Sequence, residues 1–200
     1  IIKYKKYFKE LSSMNMIFVI SAFETTNDEV LTILEKNHSS KDLANAIEIS
    51  QDNNIDIRPT WMPFSPWTKQ KDLIDIIKLI ENYKLRETVD PIQLTIKLLI
   101  PKNSLIIQRS EISEFINDYD KNSLSYVWDY RDKEVNELQI SLFKYLLENP
   151  DLDDHSQYLG MVEIIETMTR SNLILDPNYR FKNVPKLSET WFCCAEPSPI

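Results

Sequence analysis

Residues 89–101, VDPIQLTIKLLIP, alternate apolar and polar side chains with the period of two that is typical of a strand. One face carries Ile92, Leu94, Ile96 and Leu98, and the other carries Gln93, Thr95 and Lys97. A parallel strand covered by helices on both faces is apolar throughout, so this polar face needs solvent or a wet cavity. In a closed or partly closed β/α barrel that cavity is the lumen. We therefore predict that the polar face points into an active-site cavity and binds substrate. An amphipathic strand in an open sheet, with one side in water, is the alternative.

Composition limits the classes of partner. The 200 residues include 23 Lys and Arg against 31 Asp and Glu, a formal net charge of −8. This acidic balance disfavours nucleic acid and anionic membranes as partners. No apolar run approaches the roughly 20 residues that span a bilayer, and no signal peptide is recognisable, so we expect a cytoplasmic protein. The lone glycine, Gly160, excludes Gly-rich phosphate loops. Because the chain begins with Ile1 in a helical pattern, we expect a piece of a longer protein.

The first half of the chain alternates strands with helices. Strands are predicted at 16–20, 55–61 and 89–100, and helices at 1–12, at 29–36, from Ser39 or Ser40 to about 51, and at 72–83. This order predicts parallel α/β units, in an open sheet or a barrel. The second half is mostly helical, with a short helix at 110–117, an irregular or briefly extended segment at 123–128, and long helices at 134–147 and 157–170.

Two charged residues follow the first predicted strand. Glu24 stands at a strand end, where β/α folds handle ligands, and can accept hydrogen bonds from an amino group or a ribose hydroxyl. Lys36 ends the short helix and can offer its charge to a ligand carboxylate. A solvated loop glutamate and an ordinary surface lysine are the alternatives. We also predict that Glu24 shares one cavity with Gln93, Thr95 and Lys97.

A rigid aromatic segment follows the second predicted strand. Residues 59–68, PTWMPFSPWT, hold three prolines, so strand pairing must fail here and the backbone becomes an extended rim. Trp61 and Trp67 on this rim fit a wall for a planar or apolar substrate, and packing in the core at the mouth of the fold is the equal alternative.

Cys193 and Cys194 are adjacent and near the end of the chain. Adjacent thiols can form a strained disulfide, bind a soft metal or supply a nucleophilic thiolate. Two cysteines cannot make a four-ligand zinc site alone, and His38 and His155 lack ligand spacing. Buried bystander cysteines are the alternative.

Several stretches together resemble one enzyme family. They are SAFE (21–24), VLTILEK (30–36), PTWMPFSPWT (59–68), PIQLTIKLLIP (91–101), YVWDYRD (126–132) and WFCCAEP (191–197). In this combination the sequence resembles the radical S-adenosylmethionine (SAM) proteins with a CUAEP or CCAEP tail. The tail motif is specific to that group, whereas the SxxE element (21–24) and the lysine at position 36 are shared widely among radical SAM enzymes.

The resemblance implies an α/β fold, the C-terminal part of a partial (β/α)6 radical SAM barrel. About three parallel strands with helices would occupy residues 1–108, a mostly helical extension 109–175, and an extended tail with the CCAEP motif 176–200. It further implies that Glu24 and Lys36 contact SAM. Phe64-Ser65-Pro66 stands where such enzymes often carry a Gly-x-Pro turn beside the adenine, which makes Ser65 a candidate cofactor contact.

The implied function is that of a parent enzyme which reductively cleaves SAM to a 5′-deoxyadenosyl radical. Its implied partners are a small-molecule or peptide substrate and a reductant such as ferredoxin or flavodoxin. Cys193 and Cys194 would be catalytic, as a redox pair or covalent handle, or would ligate an auxiliary metal. The CxxxCxxC loop that holds the [4Fe-4S] cluster is absent, so the cluster has no ligands in this chain and we expect the chain alone to be inactive. A non-catalytic binding module with a metal-binding or redox-active dithiol is the competing hypothesis.

Overall fold

The central element of the protein is a pair of parallel strands. The computed structural model describes residues 1–181 and residue 184. Strand β1 (Phe18–Glu24) pairs with β2 (Asp56–Trp61), with Phe18 opposite Asp56 and Glu24 opposite Trp61. Because the strands are parallel, their carboxyl ends meet at one edge of the sheet. The predicted mixed α/β fold with parallel strands is therefore present, although β1 begins two residues later than the sequence pattern indicated.

Helices connect and cover these strands. The 3₁₀ segment Ile2–Tyr7 precedes α1 (Phe8–Ser13), followed along the chain by α2 (Asp28–Ile33), α3 (Ser40–Asp52), α4 (Gln70–Asn82), α5 (Lys133–Glu148) and α6 (Asp154–Thr169). The predicted start of α3 at Ser39 or Ser40 is confirmed, and α2 begins one residue before its predicted start, at Asp28. The Asn27 side chain accepts hydrogen bonds from the first turn of α2, and the Ser39 backbone N–H donates to Asp42 at 2.8 Å.

The predicted strand at 89–100 is wrong. Residues Pro91–Thr95 form a 3₁₀ helix, with proline in its first turn, where a missing N–H costs nothing. The Thr95 hydroxyl donates to the Ile92 carbonyl at 2.7 Å and stabilises the turn. In this stretch Lys97 forms an isolated parallel bridge with Phe64, and Pro101 forms an isolated antiparallel bridge with Ser125. In place of the expected three parallel strands, the described residues form two parallel strands and one isolated parallel bridge, and they do not establish a barrel.

A β-hairpin replaces the short helix predicted at 110–117. Only Ser110–Ile112 is helical, as a 3₁₀ turn, and β3 (Ile116–Asp120) pairs antiparallel with β4 (Ser125–Trp128). The Asp120 carboxylate accepts hydrogen bonds from the backbone of the connecting turn. Opposed Tyr119 and Tyr126 rings, 5.1 Å apart, join the strands. Residues 123–128, predicted to be irregular or briefly extended, form a turn at 123–124 followed by β4.

One hydrophobic core draws on both halves of the chain. It contains Ile57 and Trp61 of β2, Ile76 and Ile80 of α4, Leu138 and Leu142 of α5, and Met161 and Ile165 of α6. The predicted division into segments 1–108, 109–175 and 176–200 stays a prediction. None of the helices in the described part of the chain has the length and apolar character needed to cross a membrane.

Gly160 marks the close approach of α6 to α5. A Cβ atom at this position would overlap the ring of Tyr145 on α5. We expect Gly160→Ala to lower the free energy of unfolding by about 1–3 kcal/mol because the overlap outweighs the better helix propensity of alanine. Urea denaturation checks this value. In a Tyr145→Ala background the same change should be neutral or stabilising, and a stabilising effect with Tyr145 present would contradict the packing argument.

Candidate functional site

The carboxyl ends of β1 and β2 bring together the polar groups that the sequence placed after the first strand. Glu24 is the last residue of β1, is 5% exposed, and accepts a hydrogen bond at its carbonyl from the Met62 N–H at 2.8 Å. The pairing with β2 is irregular between Ala22 and Glu24, and Glu24 has a φ of 64°. A non-glycine residue in this region is strained, and such strain is commonly found at functional sites.

Lys36 pairs directly with Glu24. Its Nζ lies 2.5 Å from Glu24 Oε1, and the Glu24 side chain is 7% exposed whereas that of Lys36 is 32% exposed. The chain reverses after α2 through Glu35 and Asn37, both at positive φ, and this reversal returns Lys36 to the strand end. The two residues that the resemblance marks as SAM contacts, twelve apart in the sequence, therefore form one ion pair in the structure.

Two further polar groups accompany this pair. Trp61, the register partner of Glu24, has a buried indole N–H with no hydrogen-bond partner among residues 1–181 and 184. His38 Nδ1 lies 3.0 Å from the Lys36 carbonyl oxygen, and the buried Nε2 has no hydrogen-bond partner in the part of the chain that the structure describes. His38 lines an open cavity of about 430 Å³ that also includes Ser21 and Phe23 of β1. The sequence pattern alone had not singled out His38 as part of this site.

Gln93 and Thr95 form hydrogen bonds that connect this segment to β2 and α5. The Gln93 Oε1 atom accepts a hydrogen bond from the Trp61 backbone N–H at 3.0 Å. Thr95 is fully buried, and its carbonyl accepts from Gln139 on α5 at 3.1 Å. The prediction that Gln93 and Thr95 lie on one face of a strand is therefore wrong, because both residues belong to a 3₁₀ helix. Their polar groups form hydrogen bonds with neighbouring segments. Contact of Gln93 or Thr95 with a substrate stays a prediction, as does the cavity shared with Glu24 and Lys97.

The aromatic rim packs inside the protein. Trp61 is 2% exposed and stands edge-on to Phe23, and Trp67 is 1% exposed with its indole N–H donating to the Glu111 carbonyl at 3.2 Å. The core-packing alternative thus describes both tryptophans here, and a substrate wall stays a prediction. Ser65 is fully buried, and its backbone N–H and hydroxyl lie 2.9 and 3.0 Å from Thr68 Oγ1. The cofactor contact predicted for Ser65 stays a prediction.

Lys97 lies in a second polar cluster, defined here as Lys97, Trp128 and Tyr130. Its Nζ stands 5.2 Å from the Trp128 ring centroid and 5.8 Å from that of Tyr130. Burial lowers the pKa of the Lys97 ammonium and raises the pKa of the Tyr130 hydroxyl. Sequence reasoning had not selected Tyr130, although it lies within the YVWDYRD stretch that carried part of the resemblance.

The cysteine pair lies outside the described residues, so the metal-binding and catalytic roles predicted for Cys193 and Cys194 remain predictions. Within residues 1–181 and 184, no cluster of histidine, cysteine and carboxylate side chains could hold a metal ion.

Comparison with known proteins bears on the fold. Neither a family model nor a curated protein matches this sequence. A solved structure titled cobalamin-dependent S-adenosylmethionine radical enzyme OxsB with aqua-cobalamin bound aligns with 82% of this chain at a TM-score of 0.56 and 13% identity. The fold resembles that of a radical SAM enzyme. This chain spans 30% of the length of that enzyme, and at 13% identity the likeness concerns the fold alone.

Proposed function

We propose that this chain forms part of a radical SAM enzyme and supplies the residues that bind the methionyl group of SAM. One observation carries the proposal. A buried glutamate and a lysine form an ion pair at the carboxyl end of a strand, in a fold similar to that of a radical SAM enzyme.

The residues present fit SAM. Its methionyl group carries an ammonium and a carboxylate, which are complementary in charge to Glu24 and Lys36, respectively. Glu24 would accept hydrogen bonds from the ammonium, and Lys36 would donate to the carboxylate. Binding would thereby replace the Glu24–Lys36 ion pair with one ion pair between Glu24 and the ligand ammonium and another between Lys36 and the ligand carboxylate. The Lys36 side chain is about one-third exposed, so it would be free to turn toward a ligand while Glu24 stays fixed at the end of β1.

The residues present do not fit the [4Fe-4S] cluster. Cluster ligation in this family requires cysteine thiolates, and the sequence has only Cys193 and Cys194 and no CxxxCxxC loop. The cluster and the reductive step would belong to another part of a longer protein. In the proposed assembly Cys193 and Cys194 provide a thiol pair for an auxiliary metal or for the substrate, and ferredoxin or flavodoxin supplies electrons.

Calorimetric titration with three ligands tests the proposal. SAM and S-adenosylhomocysteine both carry an amino-acid ammonium and carboxylate, whereas 5′-deoxyadenosine carries neither. We expect the chain to bind the first two at least about tenfold more tightly than the third, because a charge-assisted hydrogen bond contributes about 1.5–3 kcal/mol. Equal affinity for all three, or no binding of SAM by folded protein, would contradict the proposal. The second outcome would favour the non-catalytic binding module.

A further inference from the structure

We propose that Lys97 and Tyr130 form a binding site for a carboxylate group of a ligand, separate from the Glu24–Lys36 pair. If the proposed function holds, this ligand is the substrate, so that the inference narrows the substrate class to carboxylate-bearing molecules. The site itself rests on the geometry around Lys97.

The position of Lys97 is fixed by the backbone. The Phe64 N–H donates to the Ile96 carbonyl at 3.2 Å, and the Leu98 N–H donates to the Phe64 carbonyl at 2.7 Å. These bonds hold both neighbours of Lys97 in the parallel bridge that extends from the end of β2. The Trp128 indole N–H donates to the Leu98 carbonyl at 2.8 Å and fixes the aromatic ring beneath the lysine.

Lys97 has no counter-charge among the described residues. No carboxylate in residues 1–181 and 184 lies within 4.0 Å of its Nζ, whereas Lys36 and Lys69 each pair with a glutamate. A half-buried ammonium without a carboxylate loses solvation that ring contacts replace only in part. Burial accordingly lowers its pKa. A ligand carboxylate would offset the lost solvation of the Lys97 ammonium by an ion pair.

The charged side chains next to Tyr130 in the sequence interact with other partners. The Asp129 carboxylate accepts from the Asn117 amide at 2.9 Å, and the Asp132 carboxylate accepts from the Glu134 N–H at the start of α5. Arg131 pairs with Glu29. These interactions leave the Lys97 ammonium as the uncompensated charge beside the Trp128 and Tyr130 rings within the described structure.

Tyr130 adds a second donor. Its hydroxyl is buried and has no hydrogen-bond partner in the described structure. The ring packs 4.7 Å from Trp128 and 6.4 Å from Phe64, in edge-to-face contacts that restrict its movement. Burying a hydroxyl without a hydrogen bond costs free energy, so we expect a ligand atom to accept a hydrogen bond from it.

The two donors match a carboxylate better than a phosphate. A carboxylate offers two oxygens in one plane, one for each donor, whereas phosphate sites commonly add backbone N–H groups at a helix N-terminus. A further argument against a phosphorylated ligand is the acidic net charge of −8.

Acetate is the probe for this site. In the chain with ¹³C-labelled lysine side chains, NMR titration gives the pKa of the Lys97 ammonium in acetate, in inorganic phosphate, and in chloride, all at the same ionic strength. Acetate is expected to raise this pKa by about one unit relative to chloride, because an adjacent opposite charge favours the ammonium. Acetamide, which has the same shape without the charge, should not raise it. Equal effects of acetate and chloride, or a larger effect of phosphate, would overturn the carboxylate assignment.

Variants test whether Lys97 and Tyr130 themselves bind acetate. Acetate-induced shifts of the Trp128 indole N–H should disappear in Lys97→Met, and acetate affinity should fall about fivefold in Tyr130→Phe. Lys102→Met, which removes an exposed lysine five residues away, should leave the titration unchanged. A folded Lys97→Met variant that still binds acetate would overturn the site. Because acetate is titrated without SAM, this failure is distinct from an absence of SAM binding, which would overturn the proposed function.

Discussion

Glu24→Gln is expected to lower the affinity of the protein for SAM by about tenfold to a hundredfold. The substitution keeps the size and position of the side chain but removes the charge that would pair with the methionyl ammonium. Loss of one charge-assisted hydrogen bond in a buried setting corresponds to about 1.5–3 kcal/mol. Glu24 is 5% exposed, so solvent screens little of this effect. Calorimetric titration of the purified variant with SAM provides the measurement.

Matched variants distinguish a ligand contact from a general charge effect. Glu29→Gln removes an exposed carboxylate that pairs with Lys69 and Arg131, and SAM affinity should be unchanged. Lys36→Met should weaken SAM binding by a similar factor to Glu24→Gln, since it removes the partner of the ligand carboxylate. Circular dichroism establishes that each variant is folded. Unchanged affinity in both Glu24→Gln and Lys36→Met would show that the ion pair has only a structural role.

Glu81→Ala is expected to cause the largest loss of stability, about 3–5 kcal/mol. The Glu81 and Arg86 side chains are 7% and 3% exposed and form a bidentate ion pair, with the Arg86 Nε donating to Glu81 Oε1 at 2.8 Å. The Tyr158 hydroxyl also donates to Glu81 Oε1 at 2.8 Å. Removing the carboxylate leaves a buried guanidinium without a counter-charge, which is the costly half of a broken buried pair.

A double-mutant cycle tests this explanation. Arg86→Met in the Glu81→Ala background removes the stranded charge and should recover part of the loss measured by urea denaturation. Tyr158→Phe, which removes a single hydrogen bond to the same carboxylate, should cost only about 1 kcal/mol. If Glu81→Ala costs no more than Tyr158→Phe, the ion pair is not a major source of stability.

The sequence predicted helices well, because a helix depends mainly on interactions among its own residues. The start of α3 was predicted at Ser39 or Ser40, and the structure shows side-chain caps at Asn27 and Ser39; such caps are local because they involve side chains and backbone groups within one turn. Amphipathic periodicity located α4 and the long helices α5 and α6 for the same reason. The alternation over residues 89–101 failed because polar side chains every second residue need not share one cavity. Gln93 and Thr95 each bond to a different neighbour.

The hairpin of β3 and β4 shows a second limit. Residues 116–120, INDYD, have no apolar alternation, and their extended form depends on pairing with a strand that follows a turn. Strand pairing involves residues from two segments, so a pattern within one segment is a weak guide to it. The same holds for the Phe64–Lys97 bridge, which only tertiary contact creates.

The sequence by itself determined the mixed α/β class, most helices, the parallel strand pair and the candidate roles of Glu24 and Lys36. Only the tertiary structure decided that these two residues meet, and that Lys97 lies beside Trp128 and Tyr130 with no carboxylate partner among the described residues. The physical reason is that helix formation depends on interactions a few residues apart. The charge state and partners of a buried group depend instead on residues brought together from distant parts of the chain.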